Sequence, residues 1–151
     1  DDLPVPEILE KGTECALLGY GKTVELMLDA REIIVRDGGV PPSVVDIKCV
    51  KPMCVPVMEG LLKSHELVIV AEDGYKECGV GEAIASLAEK LRPSSRTAMV
   101  LPMGIPDLFV PQGTVSEQAE YCGLTPRKVV TMYEEYQKRT HRQGSGIQGV
   151  R

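Results

Sequence analysis

The run Leu67-Val68-Ile69-Val70-Ala71 constrains the fold more than any other stretch of this 151-residue chain. Its residues are all apolar and largely β-branched, so the run has no polar face to turn toward water. Such runs predict strands that are buried on both sides, which are typical of parallel sheets covered by helices. The next residues, Glu72-Asp73-Gly74, predict an acidic loop at the carboxyl end of the strand, where open α/β sheets meet ligands and partners.

Strand and helix patterns alternate along the rest of the chain. Apolar runs predict further strands at Cys15–Leu18, Ser43–Val50 and Thr97–Leu101. Helical spacing predicts helices that begin near Lys22, Pro56, Glu82, Thr114 and Thr125, and Thr114 and Glu117 have the spacing of a capping box. Helical connections of this length require parallel neighbouring strands. The chain is therefore predicted to form an α/β fold, a three-layer open, mainly parallel sheet with helices on both faces.

The length of the chain fits one domain with a sizeable core. Residues 1–13 contain Pro4 and Pro6 without periodicity, which predicts an extended lead-in or linker. We place the α/β domain at residues 14–140. A flexible, glycine-rich tail is predicted at residues 141–151.

Charge and cysteine content narrow the classes of partner and compartment. Lys and Arg number 17 against 22 Asp and Glu, a net charge of −5, so nucleic acid is not an expected partner. The five cysteines form no CxxC pair and are predicted to be buried, reduced thiols. No apolar run approaches the roughly 18 residues of a membrane span, and the acidic N-terminus does not resemble a signal peptide. We expect a soluble protein in the cytoplasm, or in an organelle stroma after processing, with no membrane partner.

The turn Gly19-Tyr20-Gly21-Lys22-Thr23 lies between a predicted strand and a predicted helix, where glycines can expose backbone N–H groups to an anion. The weak candidates for such an anion site are Gly19, Gly21, Lys22 and Thr23. A P-loop has four residues between its first glycine and Gly-Lys, but this turn has one. A dinucleotide fingerprint would need a third glycine where Val24 stands. A tight strand-to-helix turn is the competing interpretation.

Acidic and aromatic residues near predicted strand ends are candidates for binding a partner. Glu72 and Asp73 either bind a cation or a partner's N–H or Arg group, or are simply solvated. Asp107 and Phe109 lie in a loop bracketed by prolines. Phe109 either docks on another surface or folds back onto its own core.

Catalysis by this chain alone has little support. The only histidines, His65 and His141, lie in different contexts and predict neither a metal pair nor a catalytic dyad. No Gly-x-Ser-x-Gly motif occurs, and no cysteine neighbours a histidine in the sequence. We therefore assign no catalytic, cofactor-binding or metal-binding residue.

Several short motifs follow one another in a distinctive order. They are Leu18–Gly21, Val45–Pro52, Val70–Gly74 and Gly104–Gly113, followed by Glu117-Gln118 and Gly123-Leu124-Thr125. Their order and spacing resemble the C-terminal domain of the transketolase-like, thiamine diphosphate-dependent enzymes, over about Glu14 to Tyr136. Within that family they look most like the 1-deoxy-D-xylulose 5-phosphate synthases.

The resemblance implies the third domain of an enzyme that condenses pyruvate with glyceraldehyde 3-phosphate, releases carbon dioxide and supplies isoprenoid precursors. In that family the first two domains hold thiamine diphosphate and magnesium across a homodimer, and this chain has no Gly-Asp-Gly magnesium motif. The resemblance therefore implies a structural domain that packs against upstream domains and supports the dimer. The expected interface residues are Glu72, Asp73, Asp107, Phe109 and Gln112.

The chain departs from the family pattern at three places. Cys54 stands where an aspartate usually caps the next helix, Cys78-Gly79-Val80-Gly81 replaces Gly-Gly-Phe-Gly, and Gln112 replaces a histidine. These departures leave open a related transketolase domain or the C-terminal domain of a 2-oxoacid dehydrogenase β-chain. The alternative from another class is a free-standing regulatory module that binds an anion or a nucleotide through Gly19–Thr23 and Glu72–Gly74.

Overall fold

The computed structural model describes residues 3–144 of the chain. Its strands are β1 (Glu7–Glu10), β2 (Cys15–Gly19), β3 (Ser43–Asp46), β4 (Leu67–Tyr75) and β5 (Met99–Ile105). Its helices are α1 (Lys22–Arg36), α2 (Val55–Ser64), α3 (Val80–Leu91), α4 (Val115–Tyr121) and α5 (Pro126–Gly144). Among the helices of this part of the chain, none has both the length and the apolar character needed to cross a membrane.

A five-stranded sheet in the order β1-β3-β2-β4-β5 forms the centre of the fold. Strands β2, β3, β4 and β5 are parallel, and β1 pairs antiparallel with β3 at one edge. In register, Ile69 of β4 lies between Leu17 of β2 and Leu101 of β5. Each connection between successive parallel strands contains a helix, as parallel pairing requires. The predicted three-layer, mainly parallel α/β fold is therefore confirmed.

Alternate side chains of the strands enter two apolar cores, one on each face of the sheet. On one face Leu17 and Ile69 pack with side chains of α1 and α5. On the other face Leu18 and Val70 pack with side chains of α2 and α3. All residues of the run 67–71 are fully buried, because helices cover both faces of β4. The strand predicted from this apolar run is confirmed.

Strand β4 continues beyond the apolar run, through residues 72–74 to Tyr75. Its last part is held by β5, where Tyr75 pairs with Ile105 after an irregularity in the register. Gly104 allows the close approach of the two strands, since a Cβ atom there would lie 2.9 Å from the Gly74 carbonyl oxygen. The prediction of a loop at residues 72–74 is therefore wrong.

Strand β3 ends at Asp46, before the predicted end at Val50. The Asp46 carboxylate accepts a hydrogen bond from the Lys48 backbone N–H at 2.9 Å. Lys48 itself adopts a left-handed φ of 60°. This side-chain turn diverts the backbone from the sheet, because a short polar side chain competes with strand pairing.

The two ends of the chain contain more regular structure than predicted. Strand β1 lies inside the lead-in predicted at residues 1–13 and extends the sheet by pairing with β3. Helix α5 continues to Gly144, so the tail predicted at residues 141–151 starts within a helix. The remainder of that prediction, residues 145–151, lies outside the described residues.

Two helix starts can be compared with their predicted caps. Helix α4 begins with the predicted capping box: Thr114 Oγ1 accepts from the Glu117 N–H at 3.2 Å, and the Glu117 carboxylate accepts from the Thr114 N–H at 2.8 Å. The backbone and side-chain hydrogen bonds with Thr114 hold the pKa of the Glu117 carboxyl below its usual value. Helix α2, by contrast, has Cys54 as its N-cap residue and no side-chain cap hydrogen bond, as expected where cysteine replaces aspartate.

Candidate functional site

The strand order changes direction between β2 and β4, the two central neighbours of the sheet. Helix α1, which follows β2, packs on one face, and helix α3, which follows β4, packs on the opposite face. The chain therefore leaves the carboxyl ends of these strands in opposite directions, and a crevice forms between them. Ligands of open α/β sheets commonly bind in such a crevice, which makes it the first candidate for a functional site.

A cavity of about 210 Å³ occupies this crevice. Tyr20, at the end of β2, lines it together with Glu72 of β4 and with Cys78 and Gly79 of the loop before α3. Burial, followed by the negative charges of Glu72 and Asp73, raises the pKa of the Tyr20 phenol above its usual value. The cavity is smaller than the roughly 300 to 1,000 Å³ of typical ligand pockets. Lys51 and Glu72 both line the cavity, so its small size, rather than its net charge, is unfavourable for a large anionic cofactor.

The Glu72 carboxylate binds its own chain inside the crevice. Glu72 is only 3% exposed. One of its oxygens accepts a hydrogen bond from the Val80 N–H at 3.1 Å, and the other accepts from the Gly81 N–H at 3.3 Å. These donors belong to the first turn of α3, where N–H groups lack partners within the helix and the dipole favours negative charge. Glu72 therefore occupies the position in which an anionic ligand would bind to a helix N-terminus.

Gly79 makes room for this contact. A Cβ atom on Gly79 would overlap both carboxylate oxygens of Glu72. The φ of Gly79 is −86°, which any residue can adopt, so the need for glycine is steric. The preceding Cys78 has a φ of 58°, in the left-handed region that favours glycine. Cys78 is the position at which the resembled family has the first glycine of Gly-Gly-Phe-Gly, so this departure places a side chain on strained backbone.

The turn Gly19–Thr23 uses its polar groups within the chain. The Thr23 hydroxyl accepts from the Tyr20 N–H at 3.0 Å and lies 2.9 Å from the Ala71 carbonyl oxygen, to which it donates. The Thr23 N–H donates to the Tyr20 carbonyl at 3.3 Å. Thr23 is buried, whereas Lys22 is exposed. The geometry therefore favours the tight-turn interpretation over an anion site.

Each of the two glycines of this turn is required for a different steric reason. A Cβ atom on Gly19 would lie 2.9 Å from Thr23 Oγ1 and from the Thr23 backbone. Gly21 has a φ of 57° and a ψ of −129°, which side chains disfavour. Both glycines are therefore needed to start α1 where Thr23 can bind β4.

The segment 106–113, after β5, carries most of the remaining interface candidates. Phe109 is 87% exposed, so of the two alternatives for this ring, folding back onto its own core does not occur. Asp107 and Gln112 are exposed on the same segment, and Asp73 is exposed on β4. The structure thus places four interface candidates at the surface of the chain and Glu72 inside it.

His65 contacts a serine that sequence reasoning missed. Its Nε2 atom lies 3.0 Å from the Ser43 hydroxyl, and its Nδ1 atom lies 3.0 Å from the Leu61 carbonyl oxygen. Ser43 is 4% exposed, and its hydroxyl also accepts from the Gly12 N–H at 3.0 Å. The pair joins the lead-in, β3 and α2 at the amino ends of the strands, away from the crevice. Because the hydroxyl is enclosed and already hydrogen-bonded, this contact is structural rather than nucleophilic.

The cysteines are more exposed than predicted. Cys15 is 1% exposed, and burial, followed by the charge of Glu14, raises the pKa of its thiol. The other four thiols are partly buried or, at Cys78, exposed, so the prediction of buried thiols is wrong for all but Cys15. Within residues 3–144, no group of three His, Cys, Asp or Glu side chains is arranged to hold a metal ion.

Sequence reasoning also missed the contact between Glu72 and helix α3. A signal was present in the sequence: a carboxylate directly follows a buried strand, and a glycine directly precedes the next helix. A buried strand that leads into a helix N-terminus offers one place in which a carboxylate gains two donors. Charge alone does not distinguish a solvated acid from a buried one.

Solved structures that share the fold include transketolases. A split-gene transketolase, described as an inactive beta4 tetramer, matches over 86% of this chain and 40% of its own, with a TM-score of 0.73 and 23% identity. The transketolase of Campylobacter jejuni subsp. jejuni NCTC 11168 matches over 86% of this chain and 18% of its own, with a TM-score of 0.56 and 21% identity. These likenesses define the class of protein, an α/β domain of the fold found in transketolases.

The sequence assigns the family within that class. The family model for the transketolase C-terminal domain matches residues 6–129, and the chain belongs to this family. Curated relatives named 1-deoxy-D-xylulose-5-phosphate synthase are 32% identical over 123 residues in Geobacillus thermodenitrificans (strain NG80-2) and over 137 residues in Bacillus cereus (strain B4264). The matches cover 82% and 88% of this chain but 19% and 21% of the relatives, so the chain spans about a fifth of their length.

Replacing Glu72 by Gln is expected to lower the free energy of unfolding by about 1–3 kcal/mol. The amide keeps the shape of the side chain, but its NH₂ group faces a backbone N–H, so one buried donor of α3 loses its acceptor. Urea unfolding of the chain measures the change. The control is Asp73→Asn at the exposed neighbouring position, with an expected effect within about 0.5 kcal/mol. Equal stability of the two variants would contradict the role assigned to Glu72.

Two glycine-to-alanine changes are expected to have opposite effects on stability. Gly79→Ala should destabilise the chain, because the new Cβ atom displaces the Glu72 carboxylate from α3. Gly60→Ala, within α2, meets open space and should stabilise the chain by about 0.5–1 kcal/mol. Repeating Gly79→Ala in a Glu72→Ala background tests the cause, since the loss should largely disappear there. An undiminished loss in that background would show that another contact requires Gly79.

Proposed function

We propose that this chain is the C-terminal, supporting domain of a larger enzyme of the 1-deoxy-D-xylulose 5-phosphate synthase type. The proposed reaction of the larger enzyme is the decarboxylating condensation of pyruvate with glyceraldehyde 3-phosphate, in the supply of isoprenoid precursors. The identity of 32% with curated synthases supports this assignment, as does the family of the chain. Because the chain spans only about a fifth of those relatives, the remaining parts of the enzyme are taken to lie in other domains.

The observation that carries the supporting role is the buried carboxylate in the crevice. Thiamine diphosphate presents a diphosphate group, which would need donors of the kind found at a helix N-terminus. Here the N–H groups of Val80 and Gly81 are already bound to Glu72. Asp73 adds a second negative charge near Tyr20, whereas Lys51 brings one positive charge to the lining of the crevice. The residues of this chain therefore do not fit the cofactor, and we infer that other domains hold it together with magnesium.

The surface around segment 106–113 is the proposed contact with the rest of the enzyme. A phenylalanine exposed to 87% between prolines is costly to leave in water and is preorganised for docking. Asp107 and Gln112 flank it, and Asp73 lies on the neighbouring strand β4. We propose that these residues face an upstream domain or the second subunit of a homodimer. Glu72 is no longer an interface candidate, because its carboxylate is buried against α3.

Cofactor binding by the chain alone tests the supporting role. Isothermal titration with thiamine diphosphate and Mg²⁺ is expected to show no saturable heat. The same titration of the full-length enzyme, which contains the remaining domains, is the positive control and is expected to show binding. Micromolar affinity of the chain alone would contradict the proposal, because the crevice would then be open to an anion despite Glu72.

Replacing Phe109 by Ser in the full-length enzyme tests the proposed contact surface. The change is expected to weaken the dimer at least tenfold by sedimentation, because exposed aromatic residues dominate interface energy when they become buried. The melting temperature of the isolated chain should not fall, since the ring contacts solvent there. The control is Val35→Ser, at an exposed apolar position of α1, which should leave the dimer unchanged. An unchanged dimer affinity in the Phe109→Ser enzyme would show that Phe109 does not contribute to the subunit interface.

A further inference from the structure

A second cleft, distinct from the crevice, lies where the ends of β4 and β5 meet the start of α5. Its volume is about 300 Å³, at the lower end of the roughly 300 to 1,000 Å³ found for small-molecule sites. Lys76 lines it from the end of β4, and Lys128 lines it from the first turns of α5. We call it the two-lysine cleft.

The two-lysine cleft concentrates positive charge in a chain whose net charge is −5. None of the residues that line it is acidic. Among the ion pairs found within residues 3–144, none involves Lys76 or Lys128. Both lysine side chains are exposed, and an anion bound in the cleft would be attracted by both ammonium groups.

The backbone that carries both lysines is fixed. The Lys76 N–H donates to the Ile105 carbonyl at 3.0 Å, and Gly104 lets the two strands approach so closely that a Cβ atom there would lie 2.9 Å from Lys76 Cα. The Lys128 N–H donates to Thr125 Oγ1 at 3.2 Å. The two elements that present the ammonium groups are therefore held in place before any ligand binds, which reduces the entropy lost on binding.

The walls of the two-lysine cleft define the rest of the ligand. Met103, Met132 and Pro102 supply apolar surface beside the two charges. A phosphate monoester matches this pattern, since its dianionic group balances two ammonium groups while a short carbon chain contacts the methionines. We propose that the two-lysine cleft binds the phosphate group of a small phosphate monoester. This site lies outside the crevice and does not depend on the supporting role proposed above.

Binding is tested on the 151-residue chain by two-dimensional ¹H–¹⁵N NMR at constant ionic strength, with glycerol 3-phosphate, inorganic phosphate and sodium chloride as probes. Glycerol 3-phosphate is expected to shift the resonances of Lys76, Gly104 and Gly123 saturably. Inorganic phosphate should compete for the same site with at least threefold weaker affinity, because it lacks the carbon chain. Sodium chloride should produce no saturable shift.

Paired charge removals provide the matched variants. Lys76→Gln combined with Lys128→Gln should weaken glycerol 3-phosphate binding at least tenfold. Lys22→Gln combined with Lys90→Gln removes the same charge from exposed positions outside the two-lysine cleft and should leave the affinity unchanged. Melting temperatures of both double variants establish that they are folded. Equal affinities in the two variants, or the absence of saturation in the unsubstituted chain, would overturn the proposal.

Alkylation of the cysteines gives a second readout. Cys122 lines the two-lysine cleft, whereas the exposed Cys78 does not. Bound glycerol 3-phosphate is expected to slow iodoacetamide labelling of Cys122 at least threefold, as followed by mass spectrometry of peptides, and to leave the rate at Cys78 unchanged. Protection of neither thiol, or of both to the same degree, would contradict a ligand in the two-lysine cleft. Inorganic phosphate that protects as well as glycerol 3-phosphate at equal concentration would contradict the assignment to a monoester.

Discussion

The Glu72 carboxylate connects the most buried strand of the sheet with the N-terminus of helix α3. It gives two orphan N–H groups their acceptors and places a negative charge at the positive end of the helix dipole. The contact needs both a strand that continues past its apolar run and a glycine at position 79. The same side chain therefore positions α3 on the sheet and fills the crevice in which a fold of this kind usually binds its ligand.

Because the Glu72 side chain fills the crevice, the other candidate binding surfaces of this domain lie elsewhere on its exterior. The exposed Phe109 and the polar residues beside it face away from the two cores. The two-lysine cleft lies at the end of the same strands, but it is formed by β4, β5 and α5 rather than by β2 and β4. The fold thus separates the buried sheet from the surfaces that other molecules can reach.

Apolar periodicity correctly predicted the strands and helices that place a continuous apolar surface in the cores. The run 67–71 is buried throughout, and α1, α3 and the first half of α5 place apolar side chains in the two cores, so local sequence and final environment agree there. Predictions failed where one side chain or one distant pairing decided the backbone. Strand β3 ends where the Asp46 carboxylate accepts a hydrogen bond from the Lys48 N–H, and β4 extends past residues 72–74 because Tyr75 pairs with Ile105 of β5. The antiparallel pairing of β1 with β3 joins segments far apart in the chain, which no local pattern records.

The sequence by itself determined the class of fold, the family and the absence of familiar catalytic motifs, because apolar periodicity, motif order and turn chemistry are local properties of the chain. Only the tertiary structure decided which polar residues are buried and which groups they contact. Glu72 and Asp73 are adjacent acids, yet one is buried against α3 and the other is exposed. Lys76 and Lys128 are separated by three elements of the chain, α3, β5 and α4, yet they line one cleft. The sequence gives the charge of each side chain, but the partners and the solvation of that charge depend on which segments the fold brings together.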